Sequence, residues 1–157
     1  MNRAQQDQII GIIDSVTDMT IATVREDGFP QATTVSYVND GLTIYFGTTE
    51  DTQKTKNLDR NDKVSITINR EYDNWDEIEG LSIGATAARV TDPAEQEKVS
   101  ELMFSKFPQV AQYAPPEADI GELVIFRIEP IVISLLDYRQ GFGHTEVITP
   151  TSAESAA

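Results

Sequence analysis

The chain has 157 residues, sets 26 acids against 12 bases for a formal charge of −14, and contains no cysteine. Such an acidic surface repels phosphate backbones and anionic bilayers, which argues against nucleic-acid or membrane-surface binding. The missing thiols exclude disulfides and thiolate metal sites. This length implies one domain, and no apolar run approaches the ~20 residues of a membrane span, so the expectation is a soluble cytoplasmic protein.

Along the chain, Ile9, Ile12, Ile13 and Val16 recur on one helical face, which predicts an amphipathic helix over 3–15. The β-branched run "MTIATVR" then leads through the turn signal "EDGF" into "PQATTVSYV". The turn "NDG" leads on into "LTIYFGT". Extended runs joined by Asp-Gly turns predict an antiparallel meander. "EDTQKTKNLDRN" lacks strand alternation, and Asp51 or Thr52 is placed to cap a short helix ending near Arg60. "KVSITIN" alternates, with Val64, Ile66 and Ile68 on one face. Residues 71–79 read as a polar loop and "GLSIGATAARVT" as a strand whose Gly84 suits a bend or a close approach. In "DPAEQEKVSELMFSKF", Asp92 is the expected cap, Pro93 the first helical residue and Glu95 the partner in a capping box. Its Val99, Leu102, Met103 and Lys106 share a face. "PQVAQYAPPEADIG" reads as a loop with one further helical turn, and "ELVIFRIEPIVISLLDY" as a long strand in which Pro130 requires an edge or a bulge. The fold class is therefore mainly β with peripheral helices: a six-stranded antiparallel β-barrel over residues 1–148, which the family resemblance given below makes a split barrel, followed by a disordered tail over 149–157.

"GTTEDTQKTKNL" (47–58) carries the chemistry. Thr48, Thr49 and Thr52 supply hydroxyls where a strand hands over to a helix, whose first N–H groups and positive dipole end face outward. Lys54, Lys56, Arg60 and Lys63 place a third of the chain's bases within ten residues. These donors describe a pocket for a small phosphate group, although spacing alone equally allows a capped, solvated helix. The segment lacks Walker A spacing, the chain has no G-x-G-x-x-G, and one histidine without cysteine makes zinc improbable, so no metal site is expected.

The stretch from Ile21 to Ile68 resembles the signature half of the pyridoxamine 5'-phosphate oxidase-like, FMN-binding split-barrel family. The "ATV…DG.P" hairpin, the "YFGT" aromatic pair with threonine, and Thr52 and Lys54 two apart before a short helix and "N.(K/R)VS" carry the resemblance. It implies a homodimer with FMN at the subunit interface and a small-molecule electron donor or acceptor. By the same resemblance Thr52, Gln53 and Lys54 hold the phosphate, Thr33, Thr34 and Val35 run along the flavin, and Gly47 and Thr48 line the ring or ribityl chain. Family members often carry arginine where Thr33 and Gln53 stand. Here Lys54, with Lys56, is the main cation. The ending "LLDYRQGFGHTEVITP" lacks the Trp and Arg-Leu pattern of the vitamin B6 oxidase, which sets the chain apart from that enzyme. In its place Tyr138, Arg139, Phe142 and His144 form a polar-aromatic cluster. This is either a plain turn or a cover over the partner's flavin, with His144 as the catalytic proton donor. Trp75 reads as a lid or as barrel packing. The expected function is an FMN-dependent oxidoreductase. Deazaflavin F420 or haem is the alternative cofactor, and a flavin-binding carrier or sensor without turnover is the alternative role.

Overall fold

The computed structural model describes residues 1–113 and 123–150. The last part of the loop expected after Phe107 and nearly all of the expected tail lie outside these residues. Eight strands form one antiparallel sheet. In chain order the elements are α1 (Arg3–Ser15), β1 (Asp18–Val24), β2 (Pro30–Ser36), β3 (Val38–Asp40), β4 (Thr43–Thr49), α2 (Gln53–Arg60), β5 (Lys63–Asn69), β6 (Glu79–Arg89), α3 (Pro93–Lys106), α4 (Val110–Tyr113), β7 (Leu123–Asp137) and β8 (Thr145–Ile148). Two short 3-10 turns, Trp75–Glu77 and Tyr138–Gln140, flank the paired ends of β6 and β7.

The strand order is β2-β1-β5-β6-β7-β4-β3, with β8 added to β7. The two ends of this path, β2 and β3, are separated in sequence by Tyr37 alone. The sheet must therefore curl until its two edge strands join at Tyr37 without pairing, which produces a split barrel. Six long strands were expected, and the additional β3 and β8 are too short to carry a periodic signal. The run 30–38 divides because Tyr37 leaves the ladder and buries its ring, its hydroxyl donating to the Ile13 carbonyl at 2.7 Å.

Alternation fills the interior. Val64, Ile66 and Ile68 of β5 point inward with Ile21, Ile44, Phe46, Ile83, Phe126 and Ile133, and Ile9, Ile12 and Ile13 of α1 plug one opening. Phe46 stacks on Phe126 with ring centroids 5.6 Å apart. Full burial of each such side chain contributes about 1.5–3 kcal/mol. A second, smaller core lies outside the sheet, where Val99 and Phe107 meet Val38, Tyr45 and Val90.

The turns follow local chemistry. Gly28 adopts φ +85°, where a side chain would be strained, and Asp27 accepts the Phe29 N–H at 3.1 Å to close the β1–β2 hairpin. Pro130 sits at a bulge: the β6–β7 register passes from Gly84↔Val132 to Ala85↔Pro130. On its other side β7 pairs with β4 through Leu123–Ile128 and with β8 through Ile133–Leu136, so Pro130 interrupts neither ladder. The helix starting at Pro93 is capped by Asp92, but Glu95 does not complete a capping box. Its carboxylate instead takes two 2.8 Å bonds from Arg127 and one of 3.0 Å from the Tyr45 hydroxyl, because charge-assisted tertiary bonds outcompete a local backbone amide.

Candidate functional site

The segment 47–58 folds as its residue types suggest. β4 ends at Thr49, and Thr52 caps α2, its hydroxyl accepting the Thr55 N–H at 3.3 Å. A ladder of hydroxyls braces this corner. Thr48 meets Thr52 at 3.0 Å, Thr52 meets Thr55 at 2.8 Å, and Thr55 donates to the Thr49 carbonyl at 2.8 Å. Asn57, buried beneath the helix, donates to Thr23 of β1 at 2.9 Å and to Gln31 of β2 at 3.1 Å, so α2 lies across both strands.

Arg89 locks the helix from the opposite side. Its guanidinium reaches both oxygens of Glu50 in the turn before α2 and, at 2.8 Å, both oxygens of Asp59 near its end. These bonds hold the Glu50 and Asp59 carboxyls below their ordinary range and push the guanidinium higher still. Arg89 is thus spent on structure. Lys54 and Lys56, by contrast, form no hydrogen bond or ion pair among the described residues. Gln53 donates to Asn57 at 2.8 Å and lines a groove with Arg25, Glu26 and Asp27.

The placements of the expected site residues divide into two groups. Thr48, Thr52, Gln53 and Lys54 share one corner, and Gly47 is exposed beside it on β4, where an added Cβ would meet Leu123 at 3.3 Å. On β2, Thr33 and Val35 lie on the same half-buried face as Gln31, whereas Thr34 is exposed on the other. β2 pairs only with β1 among the described strands, so its second edge is open.

Tyr138, Phe142 and His144 lie elsewhere. Thr48 pairs with Val124 near the start of β7, and Tyr138 follows its end at Asp137. At ~3.3 Å per residue the contour of β7 between them runs to roughly 40 Å. The two groups thus lie toward opposite ends of that strand, and no hydrogen bond or ion pair joins them among the described residues. Phe142 meets Tyr138 edge-on at 5.5 Å and stacks on Trp75 at 6.0 Å, which makes Trp75 a member of this cluster. His144 is half-buried, and its Nε2 lies 3.2 Å from Glu146.

Under the aromatic cluster lies a polar knot absent from the sequence expectations. Glu79 and Asp137 are each only 4% exposed. Arg139 and Arg70 bind Glu79, Arg139 also binds Asp137 at 2.7 Å, and Gln8 of α1 donates to Glu79 at 3.1 Å and to Asp137 at 2.9 Å. The Arg139 bond holds Asp137 far below the ordinary carboxylate range. The signal was present in the period of two: Glu79 falls in register with Leu81 and Ile83, and Asp137 with Ile133 and Leu135, all facing inward.

Residues 6–137 match the family described as pyridoxamine 5'-phosphate oxidase. The chain belongs to that family. General stress protein 26 of Bacillus subtilis (strain 168) is 26% identical over 140 residues, which is 85% of this chain and 91% of that protein. A conserved hypothetical protein of Mycobacterium tuberculosis superposes with a TM-score of 0.73 at 25% identity, covering 98% of this chain and 94% of the other. A heme binding protein of Mycobacterium smegmatis superposes with a TM-score of 0.76 at 17% identity, covering 95% of this chain and 59% of that one, which is a likeness of fold alone. The split barrel found here is thus shared with these solved structures. Among the described residues no group of three or more His, Asp or Glu side chains is placed to hold a metal ion, and no helix is long and apolar enough to cross a membrane.

Proposed function

We propose that the chain is an FMN-dependent oxidoreductase acting on a small-molecule electron donor or acceptor, with the flavin held between two copies. The observation that carries this reading is the uncommitted Lys54 at the head of α2, beside the Thr48 and Thr52 hydroxyls. Arg25, Arg60, Lys63 and Arg89 are each tied to a carboxylate, whereas Lys54, like Lys56 beside it, has no partner among the described residues. A flavin phosphate carries close to two negative charges near neutral pH and suits a helix start with a free ammonium. Family membership supports the same choice.

In this reading Lys54 balances the phosphate charge, with Lys56 nearby, and Thr48, Thr52 and Gln53 exchange part of their present bonding with one another, Thr49 and Asn57 for the phosphate oxygens. Gly47 leaves room beside the strand, and the Thr33–Val35 stretch on the open edge of β2 flanks the ring. The Tyr138–His144 turn of a second copy closes the site, which accounts for the distance between the two groups within one chain. There Tyr138 and Phe142 exclude water and His144 holds a proton. Bound FMN would supply hydride or single-electron transfer, while the protein supplies position and electrostatics.

The absorption spectrum of freshly purified protein tests this directly. Flavin bands, or stoichiometric FMN uptake by the colourless protein, are expected, and the absence of both removes the reading. Sedimentation should give a dimer.

A second reading keeps the barrel and changes the cofactor, because the M. smegmatis protein of the same fold is a heme binding protein. His144, the chain's only histidine, would be the one imidazole available to iron, and its Nε2 now faces Glu146. Parallel titrations with FMN, F420 and hemin decide the matter: tight hemin or F420 binding without FMN binding replaces the first reading. The kinship with a general stress protein also admits a carrier or sensor role, which bound FMN without turnover across a broad acceptor panel would favour.

A further inference from the structure

We infer that the exposed aromatic stack at the far end of β7 is a binding platform for a planar organic cation. Trp75 is 66% exposed, Phe142 79% and Tyr72 49%, although large aromatics ordinarily find cover. The stack is not a loose surface accident. Two turns more than sixty residues apart in sequence are joined by the Tyr138 N–H donating to the Ile78 carbonyl at 2.9 Å, and the Phe142 ring contacts both Trp75 and Tyr138. The buried Glu79–Asp137–Arg139 knot fixes both turns from below. An aromatic surface held this rigidly loses little entropy when a flat ligand settles on it.

The surrounding charge selects the ligand. The segment 71–77, "EYDNWDE", carries four acids and no base. It also walls a groove of about 480 Å³ lined by Glu71, Tyr72, Asp73 and Glu77. The nearest guanidinium groups, Arg70 and Arg139, are committed to Glu79 and Asp137. An indole face on an acidic segment attracts a delocalised cation through its quadrupole and through Coulomb attraction, and it disfavours a free carboxylated ring. Only the location of this platform beside a flavin rests on the proposed function. The binding itself is a property of one chain.

The test uses one ring in three charge states: 1-methylnicotinamide chloride (cation), nicotinamide (neutral) and nicotinate (anion). Trp75, the chain's only tryptophan, reports by fluorescence, with calorimetry as a second readout. The cation should bind at least about tenfold more tightly than the neutral ring, with no measurable binding of the anion, and added salt should narrow the gap. Phe142→Ala, at an exposed position, should weaken the cation at least about fivefold with an unchanged far-UV spectrum, and Asp73→Asn with Asp76→Asn should reduce its advantage over nicotinamide. Equal affinity for the three rings, or a cation affinity indifferent to all these substitutions, would overturn the inference. FMN uptake, followed at visible wavelengths in the same samples, separates the two claims. Flavin bound without charge selection removes the platform and leaves the flavin reading intact. Charge selection without flavin uptake does the opposite.

Discussion

At the scale of single residues, neighbouring side chains on α2 serve opposite ends. Thr52 is a structural cap, so Thr52→Ala should cost about 1 kcal/mol of stability in chemical denaturation. Lys54 contacts no acid among the described residues, so Lys54→Ala should leave the denaturation midpoint in place. It should weaken FMN by about 1.5–3 kcal/mol, roughly 10- to 150-fold in Kd by flavin titration, the range for a charge-assisted hydrogen bond. A variant with unchanged FMN affinity would move the phosphate site away from α2. Phe46 shows how the period of two divides the "YF" pair: Phe46 is fully buried against Phe126, while Tyr45 faces α3 on the outer side of the sheet and donates to Glu95. Phe46→Ala should therefore cost about 3–5 kcal/mol through the cavity it leaves.

At the scale of elements, α3 is held by more than its apolar face. The Lys106 ammonium donates to the Val16 carbonyl at 2.8 Å and lies 3.9 Å from the centroid of the Tyr37 ring, and burial lowers its pKa. Lys106→Met keeps the stem and loses the head group, so it should destabilise the fold by about 1–2 kcal/mol in urea titration. Where β6 crosses the β7 bulge, a Cβ on Gly84 would stand 3.0 Å from Val132. Gly84→Ala should cost about 1–3 kcal/mol by overpacking. The elements that the sequence made legible are those with repeated periodicity: α1, α2, α3 and β5 fall within a residue or so of expectation. The strands β3 and β8, of three and four residues, offer no period to read. Glu95 was misassigned because a local motif cannot disclose that Arg127 lies across the sheet. The Thr48–Lys54 corner was legible because its donors are contiguous in sequence. The joining of Trp75 to Phe142 was not, since it depends on which strand ends pair.

At the scale of the whole molecule, the buried Asp137 carboxylate shapes the response to acid. The native carboxyl of Asp137 lies well below its unfolded value near ~3.9, so its contribution is complete above that pH and falls away as the pH drops beneath it. Denaturation midpoints should therefore decline through the acid range below about pH 4. Asp137→Asn should lose about 3–5 kcal/mol at neutral pH and show a shallower acid limb. An acid limb identical to that of the parent would place the sensitivity in other carboxylates. Tyr37 has a wider consequence. The seam between β2 and β3, the end of α1 and the ammonium of α3 all converge on this one side chain. Prising any one of them loose uncovers the ring and frees the other two, so the molecule should melt in a single cooperative step, with Trp75 emission and far-UV ellipticity tracing the same curve.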